Sequence, residues 1–327
     1  MSGTSAPERW AVAAAVVGAT LHAWTVQAEE SLAVHRIGVL TVVLGRSDTD
    51  QGLRDGLLEL GYIEGKNLVI EWRRSAANVE LGSLATELER AKAEVIVAIG
   101  SGPARAAMKA TNTPVVFFSG DPVATGLAAS LAQPGGRATG VSSMTTEIVA
   151  KRLDFLHQLA PKGRRSFYLT NSSNPVAAPQ LEEAQKAAQA LGVQLVKLDA
   201  RNDAEIDRVL SAIRRRTADG LLVSGDLFFL ASRAKLARAI REARLPAVFP
   251  VKDFHADGAL VSYGSDLTEV GRHMAIYVDK ILKGAKPADL PIDQITKYRL
   301  IVDLREARKL GIDVPQELLL RADEVIR

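Results

Sequence analysis

From His35 onward the chain alternates short β-branched apolar runs with amphipathic segments, and it does so twice over. The runs "RIGVL", "LVIEW", "VIVAIG" and "PVVFFS" have the near-continuous apolar character of strands buried on both faces of a parallel sheet. Between the first two, "DQGLRDGLLELGY" lines up Leu53, Leu57, Leu58 and Leu60. Gly61 stands where a helix end favours a residue without a Cβ. "LGSLATELERAKA" behaves in the same way. Parallel strands need crossover helices, and these crossovers are right-handed, so the first half reads as a doubly wound βαβ unit.

The second half repeats the scheme. "EIVAKRLDFLHQLAP" carries Ile148, Leu153, Leu156 and Leu159 at helical spacing and stops at Pro161. "SFYLTN", "VQLVKL", "GLLVSG" and "PAVFP" then alternate with three further helical segments. "PGGRATGVSSM", Pro134 to Met144, is poor in large apolar residues and is expected to cross between the two units. After the second unit another strand and a long amphipathic helix, with Val270, Met274, Tyr277, Val278 and Ile281 on one face, imply that the chain recrosses. The expected architecture is α/β, with two doubly wound parallel-sheet lobes joined by a multi-strand hinge. Residues 33–140 and 265–286 are assigned to the first lobe, and 141–264 and 287–327 to the second.

A chain of 327 residues with 47% apolar content can bury such a pair of cores. Its net charge of +3 is a near balance without a basic, aromatic-interleaved stripe, so no nucleic-acid partner is expected. The densest basic cluster, Arg214 to Arg216, ends a helical pattern, where cations complement the helix dipole. At the N-terminus Arg9 precedes an apolar run from Trp10 to Leu21, and Val26-Gln27-Ala28 follows. That order is a secretory signal, residues 1–28, with cleavage expected after Ala28 and no stable membrane insertion afterwards. The run falls short of the ~20 residues that span a bilayer. With no cysteine there is neither a disulfide framework nor a site for a lipid anchor, so a monomer in a bacterial periplasm is expected.

Catalytic signatures are missing. "GSGPAR" has two glycines of a dinucleotide fingerprint, but Arg105 stands where the third should allow close helix packing. There is no phosphate loop ending in Lys-Ser or Lys-Thr and no Gly-x-Ser-x-Gly elbow. His22, His35, His157, His255 and His273 are scattered without metal-ligand spacing. No catalytic residue, cofactor or metal is therefore expected.

In open α/β sheets ligands bind beyond the carboxyl ends of the strands, so the loops there supply the candidate ligand contacts. They are Thr41 at the head of the first loop, Ser101 and Gly102 in "GSGPA", Ser119 and Asp121 in "SGDP", Asn171 and Asn174 in "TNSSNP", and Ser224 and Asp226 in "SGDLFF". Hydroxyls and backbone N–H groups suit a carboxylate, and Asp121 or Asp226 suits an ammonium group. Ser, Asn and Asp directly before a helix are equally the preferred N-caps. Phe228, Phe249 and Tyr263 could stack on an aromatic ligand or serve as core and hinge. The Ser-Gly-Asp tripeptide occurs at Ser119 and again at Ser224, after the fourth strand of one lobe and the third of the other.

The stretches "GLLELGYIEGKNLVIEWR" (56–73), "SGDPVATGLAASLAQPGGRATG" (119–140), "YVDKILKGAKPADLPID" (277–293) and "ARKLGIDVPQELLLRADEVI" (307–326) carry a likeness to a known family. The chain resembles ABC transporter substrate-binding proteins of the tryptophan/tyrosine type, which have the type I periplasmic-binding-protein fold. That resemblance implies a non-catalytic protein that closes two lobes over a small-molecule ligand, an amino acid or another small carboxylate. It also implies delivery to an ABC permease in the inner membrane. An exported enzyme using the same cleft is the alternative.

Overall fold

The computed structural model describes residues 34–75 and 80–327. The expected signal sequence and its cleavage after Ala28 lie outside the described residues. The first half forms β1 (His35–Thr41), α1 (Asp48–Glu59), β2 (Leu68–Arg74), α2 (Leu81–Arg90), β3 (Val95–Ile99), α3 (Ser101–Ala110), β4 (Val115–Ser119) and β5 (Ala138–Ser142). Its strands pair in parallel in the order β2-β1-β3-β4-β5. Every residue of β3, β4 and β5 is buried, as expected of strands covered on both faces.

The second half forms α4 (Thr145–Leu159), β6 (Arg165–Thr170), α5 (Ala177–Leu191), β7 (Gln194–Asp199), α6 (Asp203–Arg214), β8 (Gly220–Val223), α7 (Arg233–Ala243), β9 (Ala247–Phe249) and β10 (Val261–Ser265). The order β7-β6-β8-β9-β10 reproduces that of the first sheet strand for strand. Successive residues of β6 feed opposite cores. Phe167 and Leu169 join the cluster that holds α6 and α7, while Tyr168 joins the one that holds α4 and α5.

The chain then recrosses. α8 (Leu267–Leu282) packs on α1 of the first lobe, and β11 (Asp293–Gln294) pairs with β5. β12 (Tyr298–Asp303) runs antiparallel to β10, and α9 (Leu304–Leu310), α10 (Gln316–Arg321) and β13 (Glu324–Ile326) complete the second lobe. The lobes are thus joined at 143–144, at Asp266 and at 296–297. Two expectations shift accordingly. "PGGRATGVSSM" crosses only at its end, after the fifth strand over Ala138–Ser142, and the small residues of that strand reflect crowding: a Cβ on Gly140 would stand 2.0 Å from the carbonyl oxygen of Phe117. The stretch 287–295, assigned to the second lobe, lies on the first sheet, because Asp293 and Gln294 pair with Val141 and Ser142.

What seats α8 is a pair of small-residue faces. Gly52 and Gly56 of α1 meet Gly271 and Ala275 of α8. A Cβ on Gly52 would fall 1.9 Å from the carbonyl oxygen of Thr268, and one on Gly271 2.3 Å from that of Thr49. Backbone cannot retreat as a flexible side chain can.

Charges tie the lobes at the rim. Lys252, after β9, reaches Asp48 at the start of α1 at 3.2 Å and Asp266 at the second crossing at 3.3 Å. Arg299, just past the third crossing, lies 3.6 Å from Asp266. Beside them, burial and then the charge of Asp48 push the Asp253 carboxyl up to about 6, while backbone N–H groups and Lys252 pull it down.

Gly52→Ala is expected to destabilise the protein by about 1–3 kcal/mol in chemical denaturation. Gly82→Ala, in α2 with nothing within 4 Å of the added Cβ, should be neutral or stabilising by up to ~1 kcal/mol. Equal losses at both sites would contradict the packing argument. For Asp253 the folded-state pKa lies above the ordinary value, so the folded state is favoured by its protonated form and loses that stability as pH rises through about 6. Asp253→Asn should raise the melting midpoint above pH 7, by about 1–2 kcal/mol of stability once partial solvent exposure is allowed for. The gain should vanish near pH 4, and a gain independent of pH would refute the assignment.

Candidate functional site

The carboxyl ends of both sheets face one cleft, and their loops line it. Because the strand orders match, β3 corresponds to β8 and β4 to β9. The tripeptide Ser119-Gly120-Asp121 follows β4 and Ser224-Gly225-Asp226 follows β8, so they are not equivalent copies. They are nevertheless joined. Thr145, the first residue of α4, donates its N–H to the Gly120 carbonyl at 2.9 Å. Its hydroxyl accepts from Gln180 Nε2 at 2.8 Å, and Gln180 Oε1 accepts from the Gly225 N–H at 2.9 Å. Both glycines are sterically required: a Cβ on Gly120 would stand 2.2 Å from Thr145 Oγ1, and one on Gly225 2.9 Å from Thr145 Cβ.

Between the loops lies a cavity of about 40 Å³. The first lobe lines it with Gly100, Ser101, Phe118, Gly120 and Leu267, the second with Arg152, Asn174, Gly225, Leu227, Pro250, Val251 and Ser265, and the first crossing with Ser143 and Thr145. The walls are mainly apolar with a few fixed polar groups, as in small-molecule sites. The volume is far below the ~300 Å³ at which such pockets begin, so the lobes are closed on each other and must part to admit a ligand.

Of the residues singled out in the sequence, Ser101 and Asn174 border this cavity. Ser101 Oγ lies 2.8 Å from Ser119 Oγ and accepts from the Gly120 N–H at 3.3 Å, which ties the third-strand and fourth-strand loops together. Gly102 sits behind Ser101 in the first turn of α3. Asn171, Ser224 and Asp226 are buried just behind the lining. Ser224 Oγ has no hydrogen-bond partner, and the Asp226 carboxyl lies beside the amides of Asn171 and Asn174. Asp226 Oδ1 accepts from the Phe228 N–H at 2.9 Å. Burial pushes the Asp226 carboxyl up; the Phe228 N–H, then the amides of Asn174 and Asn171, oppose it. Asp121 and Thr41 instead hold their own loops, accepting from the backbone N–H of Ala124 at 2.9 Å and of Val43 at 3.2 Å. Among the three aromatics, Phe228 packs edge-on to Phe229 and Phe249 leans on Phe254. Tyr263 stacks between Phe155 and Tyr298. None of the three borders the cavity.

Sequence reading passed over Arg152, Thr145, Gln180 and Ser265. Arg152 is fully buried, and burial lowers its pKa to about 10. Its Nε donates to the Tyr263 carbonyl at 2.7 Å and Nη2 to that of Pro250 at 3.3 Å. The signal was present. Arg152 falls on the apolar stripe of α4, four residues after Ile148 and four before Leu156, where a cation needs a reason.

Comparison with known proteins agrees with this geometry. The family described as "ABC transporter substrate binding protein" matches residues 36–326. A tyrosine-binding protein of Clostridioides difficile is 24% identical over 256 residues, covering 77% of this chain and 73% of the relative. A conserved domain protein of Vibrio cholerae superposes with a TM-score of 0.82 at 27% identity, over 89% of this chain and 99% of the other. An ABC domain of Streptococcus pneumoniae in complex with L-Trp gives 0.81 at 24% identity, over 90% of this chain and all of the other. The ligand-free, open structure of a Clostridium difficile substrate-binding protein gives 0.60 at 24% identity over 90% of this chain. More distant likenesses include type I periplasmic binding proteins, which share the two-lobed fold. The matched family is one of substrate-binding proteins rather than enzymes, which sets aside the alternative of catalysis in the cleft. The chain belongs to the family of ABC transporter substrate-binding proteins.

Proposed function

We propose that the protein is the periplasmic substrate-binding component of an ABC importer, which closes its two lobes over an amino acid and presents the closed form to an inner-membrane permease. The observation that carries this reading is the cleft itself. Loops from two like-ordered sheets converge there, and two residues that line the cavity keep a buried polar atom without a hydrogen-bond partner, Ser265 its Oγ and Arg152 its Nη1. Each such atom costs about 1–3 kcal/mol when buried, a cost a polar ligand offsets. The apolar lining from Phe118, Leu227, Val251 and Leu267 suits an apolar or aromatic side chain. The tyrosine-binding relative and the L-Trp complex support that class. The secretory signal expected at residues 1–28 supports a location outside the inner membrane. The hinge supports lobe closure, since its three connections are short and its ion pairs are partly exposed.

Thermal unfolding of the chain from residue 29 with a ligand panel tests this. L-tryptophan or L-tyrosine at a hundredfold excess over its dissociation constant should add ~2.7 kcal/mol of stability, a shift of several degrees. A shift with sugars or nucleosides and none with amino acids would sink the amino-acid reading. Gly120→Val sets a side chain against Thr145 and Val176 where the two loops meet. The variant should bind that amino acid at least about tenfold more weakly, since overpacking costs about 1–3 kcal/mol, and should keep its ligand-free melting midpoint within a few degrees. Undiminished affinity would show that the closed contact is not part of binding.

A further inference from the structure

Arg152 places a cation in the cleft that no carboxylate among the described residues pairs with. Its guanidinium carries five N–H donors. Two are used, and both go to neutral carbonyls, those of Tyr263 and Pro250. Nη1 is buried, has no hydrogen-bond partner, and belongs to a residue that lines the cavity. Among the described residues it makes no ion pair, whereas other buried charges such as Asp50, Glu306 and Asp303 are each paired to an arginine. A buried guanidinium without a counter-charge is among the least favourable states a side chain can hold. Neutral residues of the same length would hold two carbonyls only poorly, so positioning alone explains Nε and Nη2 but leaves the inward edge unexplained.

The second half of the site is opposite in sign. Asp226 is buried behind Gly225 and Leu227, beside the amides of Asn171 and Asn174, and makes no ion pair among the described residues. The second lobe thus holds a buried acidic group as well as the buried cation.

We propose that Arg152 is the anion anchor of the cleft: Nη1 donates to the carboxylate of a zwitterionic ligand whose ammonium group lies toward Asp226. This rests on the reading that an amino acid occupies the cleft. It also changes the chemistry of selection. Specificity for the acid comes from a fixed buried charge, and an otherwise identical molecule with a neutral carboxamide leaves that charge unbalanced.

Calorimetric titration of the wild-type chain from residue 29 tests it, using L-tryptophan and L-tyrosine against L-tryptophanamide and L-tyrosinamide. Mildly acidic buffer keeps the amino groups of both series protonated. The acids are expected to bind about 100-fold more tightly than their amides, the scale of leaving a buried charge unpaired. Arg152→Met should bring the two series within a few-fold of each other by weakening the acids alone, and Arg152→Lys should restore part of the difference. Because the wild-type comparison needs no variant, misfolding of Arg152→Met does not obscure the result. Equal affinity of acid and amide for the wild type would overturn the proposal while leaving an amino-acid cleft intact. Binding of neither series would overturn both, and an undiminished preference in Arg152→Met would assign the carboxylate to another group.

Discussion

The closed cleft depends on one crowded contact, where Thr145 sits between the backbones of Gly120 and Gly225. A hydrogen-bonded relay runs from the first Ser-Gly-Asp loop through Thr145 and Gln180 to the second. Gln180 is wholly buried, so both ends of its amide must be satisfied, and the relay does this. The relay sets the distance between the two loops and places the start of α4 at the point where the chain leaves the first lobe. About two helical turns further along α4, Arg152 is carried into the cleft wall. Loop spacing and the position of the buried cation thus follow from a single anchoring residue.

Around that anchor the two lobes differ in what they contribute. The first lobe offers Ser101, the Gly100 and Gly120 backbones and the ring of Phe118, a largely uncharged jaw. The second lobe brings Arg152 and Asp226, both buried. On the proposed reading, charge recognition sits on one lobe and the other supplies shape and exclusion of water, which strengthens electrostatic interactions once the cleft shuts. The exposed ties at the rim, Lys252 with Asp48 and Asp266, are weak by nature and can break and reform as the lobes move.

Much of the architecture was legible because strand and helix periods announce themselves locally. The twofold alternation, the long helix over Val270 to Ile281 and the return of the chain were all written in apolar spacing. The boundaries were less so. "PGGRATGVSSM" lacks bulk because its fifth-strand backbone lies tight against Phe117, and composition alone cannot separate a crowded strand from a linker. Asp293 and Gln294 make a strand too short to show any period. In the cleft, the small polar residues at strand ends were visible, and Ser101 and Asn174 border its cavity with Asp226 buried behind them. Phe228 and Phe249 read as aromatics near the cleft, yet each is only a sequence neighbour of a lining residue, Leu227 and Pro250, and packs into the core. Arg152 escaped notice because it lies mid-helix rather than at a strand end, and its meaning needs the third dimension: which carbonyls it meets and which carboxylates it does not.

The ligand itself gives the most direct measurement. Small molecules released by denaturing the protein, purified without refolding from the periplasm of an exporting host, can be identified and quantified by mass spectrometry. A single α-amino acid in stoichiometric amount is the expected result. A sugar, polyol or nucleoside held in that amount would contradict an amino-acid cleft built around Arg152 and Asp226.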